Sequence, residues 1–361
     1  MSQPISQKYR LELRPLDYYF FGGETTFGNG EGQNYYARTR SWPQQTSMLG
    51  VLRYFLYPDH CGPNSFHLEN QSPYGSIIDL SPLFFTHRSE NKYTDYFLSP
   101  IGKKGKPRSL RKEPGIESQQ AQYSAEGIGD KEAPEQCLID KKGNQLAISS
   151  DTIGSDALCR FFDKIGITKG KNGEDKTDAF YKQRMGKLAD GFAFASIVNL
   201  ASHLPEELFD AKGEAHKIVH FGAEKALFEL SLRPTEKTFN EIYPVDLCTH
   251  DYADARTCHL LTSDTYITDD KLPEKLDFII ADTRSFRYIS TPGKDSNVNF
   301  ARLDLQNKNS KTALHKSGKY FLLQAGSLLY GSTKAIQNAV SQPAFEQIGY
   351  NHFIQLKNIH V

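Results

Sequence analysis

Several features that would assign this chain to a simple class of protein are scarce. Its 361 residues include five cysteines, an odd number, and no two of them form a Cys-x-x-Cys pair. Lysine plus arginine and aspartate plus glutamate both number 43, so the formal net charge is zero. This balance counts against a protein that finds nucleic acid through a bulk positive field, although a local basic groove remains compatible with it.

Long apolar runs are lacking as well. No stretch approaches the ~18–20 apolar residues that a membrane helix needs, and the N-terminal sequence MSQPISQK has no apolar region of the kind found in signal peptides. Together with the cysteine pattern, these absences predict a cytoplasmic protein with reduced thiols and no membrane association. The length favours two domains, since single cores rarely grow beyond ~250–300 residues.

Motifs for nucleotide hydrolysis and dinucleotide binding are missing. The loop GNGEG at 28–32 is followed by Gln33 where the dinucleotide fingerprint requires glycine, and the next predicted helix does not follow at once. No Gly-x-x-x-x-Gly-Lys-Ser/Thr segment occurs. Nucleotide hydrolysis therefore has no motif support.

The one metal-like cluster has the spacing Cys-x-His-x7-Cys-His, which is not a common zinc pattern. Its last two members would point to opposite faces of a strand. We interpret the cluster as buried cysteine and surface histidines, and predict no metal site and no cofactor. The four residues are Cys248, His250, Cys258 and His259.

The first candidate binding site is predicted near the N-terminus, where a strand and a helix meet. Residues 9–14 alternate apolar and polar side chains, which predicts a half-buried strand. Residues 48–56 carry apolar side chains at helical spacing, with Thr46 or Ser47 positioned to cap the first turn. A glycine-rich loop lies between strand and helix, and a helix N-terminus beside such a loop attracts anions such as phosphate. The basic residues that follow the loop are Arg38 and Arg40.

A second strand, glycine turn and helix follow near the C-terminus. Residues 320–330 are strongly apolar and predict a strand broken at Gly326. Gly331 and Ser332 then lead into a helix that is predicted to begin at Thr333. Taken alone, this is an ordinary strand–turn–helix connection. Because the same arrangement of strand, glycines and helix also occurs near the N-terminus, it predicts a second site for phosphate.

The remaining segments predict a strand-rich chain. Residues 88–144 are rich in Gly, Pro, Gln, Ser and Lys and predict an insertion, partly a hairpin, whose basic run is equally explained as a solvated loop. Residues 151–165 predict a short helix, whereas residues 77–86 and 191–200 predict strands. Strands and few helices alternate on both sides of a boundary near 204–213, which fits an α+β fold with a β-α-β-β-type unit in each half.

At these residues the chain resembles a known family. LRPLDYYFFGG at 13–23 is similar to the opening strand of the RAMP-superfamily subunit found third in the Cmr complex of type III-B CRISPR systems. Ala223 stands where that family more often has glycine, and Ser263 where it has proline. Further segments resemble the family's elements in the same order: SWPQQTSMLGVLR at 41–53, RMGKLADGFAF at 184–194, HFGAEKALFEL at 220–230, CHLLTS at 258–263 and QAGSLLY at 324–330.

The resemblance implies two ferredoxin-like (RRM-like) domains with antiparallel sheets, at residues 1–208 and 209–361, and a long hairpin or loop insertion at about 88–144. It further implies a non-catalytic subunit that binds the 5′ tag of the CRISPR RNA (crRNA) and docks the large polymerase/cyclase subunit at the foot of the complex. A backbone RAMP subunit, which cleaves the target RNA, is the other implied partner. A thumb hairpin in the insertion would wedge between guide nucleotides.

Four groups of residues are predicted to contact the RNA, through phosphate contacts and base stacking. The first phosphate-binding patch is Arg38, Arg40, Gln45, Ser47 and Arg53. The second patch is Gly326, Ser327, Gly331, Ser332 and Lys334. The thumb contacts are Lys103, Lys104, Arg108 and Arg111, and the stacking aromatics are Tyr35 and Tyr36.

Two alternatives remain open at this point. A metal-independent endoribonuclease on the same fold would need a general base, and His60 or His87 would supply it. A pure scaffold would contact only protein partners through an aromatic-rich surface, since 12% of the residues are aromatic.

Overall fold

The structure is a computed structural model. It describes residues 7–22, 36–56, 74, 76–90, 92–103, 106–107, 110–112, 123–125, 136–150, 157–169, 175–201, 204, 208–211, 213–247, 249–250, 257–267, 272–287, 289–290, 315–316 and 319–358.

Strands dominate this part of the chain. In order they are β1 (Gln7–Pro15), β2 (Tyr36–Arg38), β3 (Ile77–Leu80), β4 (Phe84–Ser89), β5 (Lys92–Leu98), β6 (Gly102–Lys103), β7 (Lys106–Pro107), β8 (Leu110–Lys112), β9 (Tyr123–Ala125), β10 (Cys137–Asp140), β11 (Gln145–Ser150), β12 (Ala157–Lys169), β13 (Asp175–Leu188), β14 (Phe192–Leu200), β15 (Ala215–His220), β16 (Leu227–Pro234), β17 (Thr249–His250), β18 (Thr257–Leu261), β19 (Thr265–Tyr266), β20 (Leu276–Ile280), β21 (Thr283–Phe286), β22 (Ile289–Ser290), β23 (His315–Lys316), β24 (Tyr320–Leu323), β25 (Leu328–Gly331), β26 (Phe353–Gln355) and β27 (Lys357–Asn358).

Helices are fewer and mostly short. They are α1 (Gln45–Leu56), α2 (Phe239–Ile242), α3 (Leu272–Lys275), α4 (Thr333–Val340) and α5 (Pro343–Glu346), with a 3-10 turn at Val245–Leu247. None of the helices in the described ranges is long and apolar enough to cross a membrane.

One large sheet contains twelve strands. Eleven of them follow the order β15-β16-β1-β14-β4-β5-β10-β11-β12-β13-β2, and β3 pairs with β14 outside this path. Its pairs are antiparallel except for β11 with β12 and β13 with β2, which are parallel. Strands β15 and β16 lie beyond residue 209 yet extend this sheet, so the sheet spans both sides of the predicted domain boundary.

The core under this sheet follows from the alternation in β1. Tyr9, Leu11 and Leu13 are buried on one face, where they join Met48 and Leu52 of α1 in the largest apolar cluster. A strand with period-two apolar positions and a helix with an apolar stripe bury their surfaces against each other because neither can do so alone. The predicted first strand and first helix are confirmed.

The C-terminal half adds two smaller sheets, of orders β20-β25-β18-β26 and β19-β24-β21. Helix α4 packs on the first of them through Ile336 and Val340, which contact Leu261 and Leu329. The predicted break at Gly326 is present, since it separates β24 from β25. The helix predicted to begin at Thr333 is confirmed as α4.

Two sequence predictions need correction. The helix predicted at 151–165 is wrong for its described part, because residues 157–165 belong to β12, which pairs with β13 over nearly its whole length; residues 151–156 lie outside the described residues. The predicted strand at 77–86 is two strands, β3 and β4, divided around Pro82, a residue that cannot donate to a sheet ladder. The first correction has its cause in pairing between strands. Residues 157–165 form a strand because they pair with β13, and a pattern local to these residues does not indicate that pairing.

The fold class is thus α+β and rich in antiparallel sheet, as predicted. The division into two ferredoxin-like domains stays a prediction, since the largest sheet is mixed and continuous. The longest hairpin of the described chain is formed by β12 and β13. Within the predicted insertion at 88–144, the described residues form two shorter antiparallel pairs, β6 with β7 and β8 with β9. Both ends of that insertion belong to the large sheet, as β5, β10 and part of β4.

Tyr19, in the segment that follows β1, packs closely on Gly186 of β13. This contact joins that segment to the long hairpin. The two residues exchange backbone hydrogen bonds, Tyr19 N–H to Gly186 O at 2.8 Å and Gly186 N–H to Tyr19 O at 2.9 Å. The Tyr19 ring lies over the glycine so tightly that a Cβ atom there would stand 2.8 Å from two ring carbons. Glycine at position 186 is therefore a packing requirement.

We expect Gly186→Ala to lower the free energy of unfolding by about 1–3 kcal/mol, because the added methyl group overpacks a buried ring. Gly50→Ala is the matched control. Its Cβ would have no heavy atom within 4 Å on the exposed side of α1, so it should raise stability by about 0.5–1 kcal/mol through helix propensity. Urea unfolding of both variants checks the contrast; equal stability of Gly186→Ala and the wild type would contradict it.

Candidate nucleic-acid interface

The long hairpin and β2 together present a face of cations and aromatic rings. Antiparallel register places Phe161 opposite Gly186 and Asp163 opposite Arg184, and parallel register places Tyr36 beside Lys182 and Arg38 beside Arg184. Directly paired residues share one face of a sheet. We call this surface the basic–aromatic face; it consists of Tyr36, Arg38, Phe161, Asp163, Lys182 and Arg184.

Aromatic rings on this face are surrounded by cations. The Arg38 guanidinium lies 4.9 Å from the Tyr36 ring centroid, and the Lys182 ammonium lies 5.1 Å from the same centroid. Arg184 stands over Phe161 at 5.1 Å. These distances are within the range of cation–π attraction, so the rings and charges hold one another in an ordered array.

One carboxylate interrupts the positive charge. Asp163 forms an ion pair with Lys182 at 2.8 Å and accepts a long hydrogen bond from the Tyr36 hydroxyl at 3.4 Å. The bond from Lys182 lowers the pKa of Asp163 below its ordinary value. The carboxyl group is consequently ionised at neutral pH, and the face carries three cations against one anion.

Backbone hydrogen bonds fix the segment that carries the predicted arginines. Thr39 N–H donates to the Arg184 carbonyl at 3.0 Å, and Arg40 N–H donates to the Phe21 carbonyl at 3.0 Å. The hydroxyl of Tyr19 donates to the Ser41 carbonyl at 2.9 Å. This short segment is therefore held between the end of the first strand and the hairpin.

The opposite face of the hairpin is also basic and aromatic. Tyr18 and Phe162 are exposed and meet edge to face at 4.9 Å. Lys187 lies 5.7 Å from the Tyr18 centroid, and Arg160 is its cross-strand partner. The hairpin thus exposes rings and cations on both sides.

A cleft of about 370 Å³ opens beside this surface, between α1 and the turn from β15 to β16. Two predicted residues, Arg40 and Ser47, line it. The other lining residues are Phe21, Gly22, Gln44, Gly50, Val51, Tyr54, His220, Phe221, Gly222 and Ala223.

The remaining members of the first predicted patch face inward. Gln45 is 5% exposed and its amide donates to the carbonyls of Ser81 and Gly349 at 3.1 and 3.2 Å. Arg53 is 7% exposed, and its charge acts on the buried Tyr74. Neither side chain is presented to a ligand at the surface. The segment around Gly349 and Tyr350 covers Gln45 at the start of α1, whereas Arg53 is buried in the last turn of the same helix.

The predicted helix N-terminus is also occupied. Helix α1 begins at Gln45, so Thr46 and Ser47 lie within its first turn instead of capping it. The N–H of Gln45 donates to the Tyr350 hydroxyl at 3.1 Å, and the Thr46 backbone bonds to the same hydroxyl. Ser47 N–H donates to the Gln44 carbonyl. These N–H groups at the start of α1 are therefore bonded within the protein, and phosphate binding at this helix end stays a prediction.

The second predicted patch does not form one surface. Gly326 has φ +92°, and a Cβ there would stand 2.8 Å from the Ser99 carbonyl, so this glycine permits close packing of two chain segments. Ser327 is fully buried and donates to the Gln324 carbonyl at 2.6 Å. At the other end of β25, Gly331 is buried as well. Only Ser332 and Lys334 are exposed, at the start of α4.

Two of the four predicted thumb contacts and one of the predicted stacking tyrosines lie outside the described residues. Lys103 lies in β6 and Arg111 in β8. Lys104, Arg108 and Tyr35 lie outside the described residues.

Within the described ranges, no three histidine, cysteine, aspartate or glutamate side chains form a group that could hold a metal ion. His87 packs its ring on Phe192 at 4.6 Å, and His60 lies outside the described residues. Cys258 and His259 are both fully buried, so the prediction of a surface histidine at 259 is wrong. Burial raises the pKa of the Cys258 thiol to about 12.

Sequence reasoning missed the cations of β13, Lys182 and Arg184, and the ring of Phe161. A signal was present: polar and apolar residues alternate through parts of 157–169, and β-branched residues are frequent near its end.

Comparison with known proteins identifies the family. The model of the family described as CRISPR-associated protein (Cas_Cmr3) matches residues 11–358. Two similar solved structures are cryo-EM structures of the Type III-B Cmr-beta, one bound to cognate target RNA and AMPPnP and one bound to cognate target RNA. Each is 14% identical over 96% of both chains, with TM-scores of 0.48 and 0.49. None of the curated proteins compared with the chain matches it.

The assignment of the chain to a family rests on the family model, which matches nearly the whole chain, and not on these distant structural similarities. The chain therefore belongs to the Cas_Cmr3 family of CRISPR-associated proteins, which confirms its resemblance to the third subunit of the Cmr complex of type III-B systems.

Proposed function

We propose that this chain, a Cas_Cmr3 subunit of a type III-B CRISPR complex, binds the 5′ tag of the crRNA and does not itself catalyse a reaction. The basic–aromatic face is the observation that carries this proposal. Unpaired RNA offers phosphates to cations and unstacked bases to aromatic rings. Arg38, Lys182 and Arg184 stand beside Tyr36 and Phe161, so both kinds of contact are available on one surface.

The neutral net charge is consistent with this role. A subunit that shares its RNA with neighbouring chains needs a local array of cations and not a bulk field. We further propose that the partners are the large polymerase/cyclase subunit, docked at the foot of the complex, and the backbone RAMP subunit. Family membership supports these partners.

The hairpin β12–β13 is the better candidate for the thumb. It contains the longest strands of the described chain. On the side opposite the basic–aromatic face it carries the exposed Phe162 and the half-buried Lys187, which lie against the exposed ring of Tyr18. Rings on both sides suit an element inserted between nucleotides. The basic run containing Lys103 and Arg111 remains a second, weaker proposal for RNA contact.

A non-catalytic role also agrees with the placement of the histidines. Ring packing on Phe192 restrains His87, and His259 is enclosed in the core. The endoribonuclease alternative names His87 or His60 as its base; His87 is the one that the described residues include, and its ring packs on Phe192.

We expect Arg38→Ala with Arg184→Ala to weaken binding of a single-stranded RNA of the tag sequence roughly 10-fold, since two phosphate contacts are removed. The slope of log K against log salt should become shallower by about 1.4, or about 0.7 for each lost contact with single-stranded RNA. Fluorescence anisotropy of the full chain at several salt concentrations measures both quantities.

The control is the double variant Lys8→Ala with Lys237→Ala. It also removes two positive charges, but from residues outside the basic–aromatic face, beside the start of β1. Lys8 lies at the start of that strand and reaches the Glu236 carbonyl beside Lys237. This variant should bind as the wild type does. Equal weakening by both double variants would mean that only net charge matters, and no RNA binding by the wild type would favour the scaffold.

A substitution that removes negative charge from the basic–aromatic face is expected to raise the affinity for RNA. Asp163→Asn removes the one carboxylate of the basic–aromatic face and releases Lys182 from its ion pair. We expect affinity for the same RNA to rise by roughly 2–5-fold, the size of one partly screened charge interaction. The titration should be performed at low and high salt, because the gain should shrink as salt rises. An unchanged or lower affinity at low salt would place the RNA elsewhere.

A further inference from the structure

We infer that the cleft between α1 and the β15–β16 turn holds the base of one unpaired nucleotide of the bound RNA. This inference rests on the proposed function, since it adds a subsite to the same interface. The cleft volume of about 370 Å³ falls within the ~300–1,000 Å³ typical of small-ligand sites. It is therefore large enough for a single small planar group and too small for a folded element of a partner.

The chemistry of the walls fits a base with its phosphate. Tyr54 is 43% exposed and offers a ring at the mouth, where Lys217 lies 5.1 Å from its centroid. Phe21 and Phe221 supply further aromatic edges. Bases of any identity stack on such rings, so the apolar part of the cleft suits the flat faces of a nucleobase.

Polar groups line the remainder. Arg40, Gln44, Ser47 and His220 combine a guanidinium, an amide, a hydroxyl and an imidazole. Among the described residues that line the cleft, none is acidic. An anionic ligand with hydrogen-bonding edges is complementary to this set, whereas a cationic or wholly apolar group is not.

The segment 38–40 connects the cleft with the basic–aromatic face. Arg40 enters the cleft lining, whereas Arg38, two residues earlier, belongs to the face. Thr39 between them is bonded to the hairpin through the Arg184 carbonyl. Two residues of extended chain span at most ~7 Å, so a strand of RNA on the face lies within reach of the cleft.

The walls are held in place independently of any ligand. The turn residue Ala223 donates its N–H to the Phe20 carbonyl at 2.9 Å, and Phe21 packs against Phe221 with ring centroids 5.4 Å apart. Gly222 has φ +80°, and a Cβ there would stand 2.9 Å from the Phe20 carbonyl, so glycine allows this approach. The site is preformed, which reduces the entropy lost on binding.

Gly50 gives a direct test. It lines the cleft on the exposed side of α1, and its Cβ would have no heavy atom within 4 Å apart from its chain neighbours and the backbone of its own helix. Gly50→Leu therefore fills the cleft without displacing a neighbour, and Gly50→Ala adds one methyl group as the matched control. Both substitutions replace a helical glycine with a better helix former, so neither should unfold the protein; thermal unfolding of each confirms this.

The experiment uses the assembled complex with tag RNAs that carry the fluorescent base 2-aminopurine at one tag position at a time. In the wild type and in Gly50→Ala, one position should be quenched by stacking in the cleft. In Gly50→Leu, the fluorescence at that position should recover at least 3-fold, while the other positions keep their signals.

The outcomes separate the inference from the proposed function. Identical fluorescence profiles for wild type and Gly50→Leu, with the RNA bound in both, would overturn the cleft inference and leave the proposed function standing. Loss of a protein subunit from the Gly50→Leu complex with an unchanged RNA profile would overturn it too, because a protein group would then occupy the cleft. A wild-type complex whose tag does not contact this chain by crosslinking would overturn the proposed function itself.

Discussion

The structure depends above all on the contact between Tyr19 and Gly186. Reciprocal backbone hydrogen bonds join these residues, and the ring of Tyr19 covers the glycine where no Cβ would fit. The hydroxyl of the same tyrosine reaches the Ser41 carbonyl just before α1 and lies 3.4 Å from the Cys159 sulfur on β12. Burial raises the pKa of both the phenol and this thiol, the latter to about 12, so both remain neutral hydrogen-bonding groups. One buried side chain thus aligns the first strand, the first helix and the long hairpin.

Charge in this chain is neutral in sum and uneven in space. Most acidic groups near the large sheet are matched, as where Arg10 donates to Asp95 at 2.9 Å beneath Tyr93. On the basic–aromatic face three cations meet a single carboxylate, and the cleft beside it has no acidic group among its described lining. A count of charges along the chain cannot show this separation, because the cations come from β2 and β13, which lie about 145 residues apart in sequence and only become neighbours through parallel pairing.

Local patterns predicted the fold well where one element could be recognised alone. The alternation in β1, the apolar stripe of α1 and the break at Gly326 were all visible, because each depends on residues close in sequence. The helix predicted at 151–165 was wrong, since a strand with exposed residues on both faces has no clean alternation and takes its form from its partner. Gly326 is predicted from the sequence to allow the approach of phosphate, yet in the structure it allows the close packing of protein on protein.

The sequence by itself determined the α+β class, the position of the first strand and helix, and the family, through short motifs that occur in a fixed order. Tertiary structure alone decided which predicted residues face a ligand. It buried Gln45, because the segment around Gly349 and Tyr350, some 300 residues later, packs on the start of α1. It also buried Arg53 in the last turn of that helix. It also brought Arg38 beside Lys182 and Arg184. Burial and proximity of this kind arise from pairing between distant strands, which no local pattern of residues encodes.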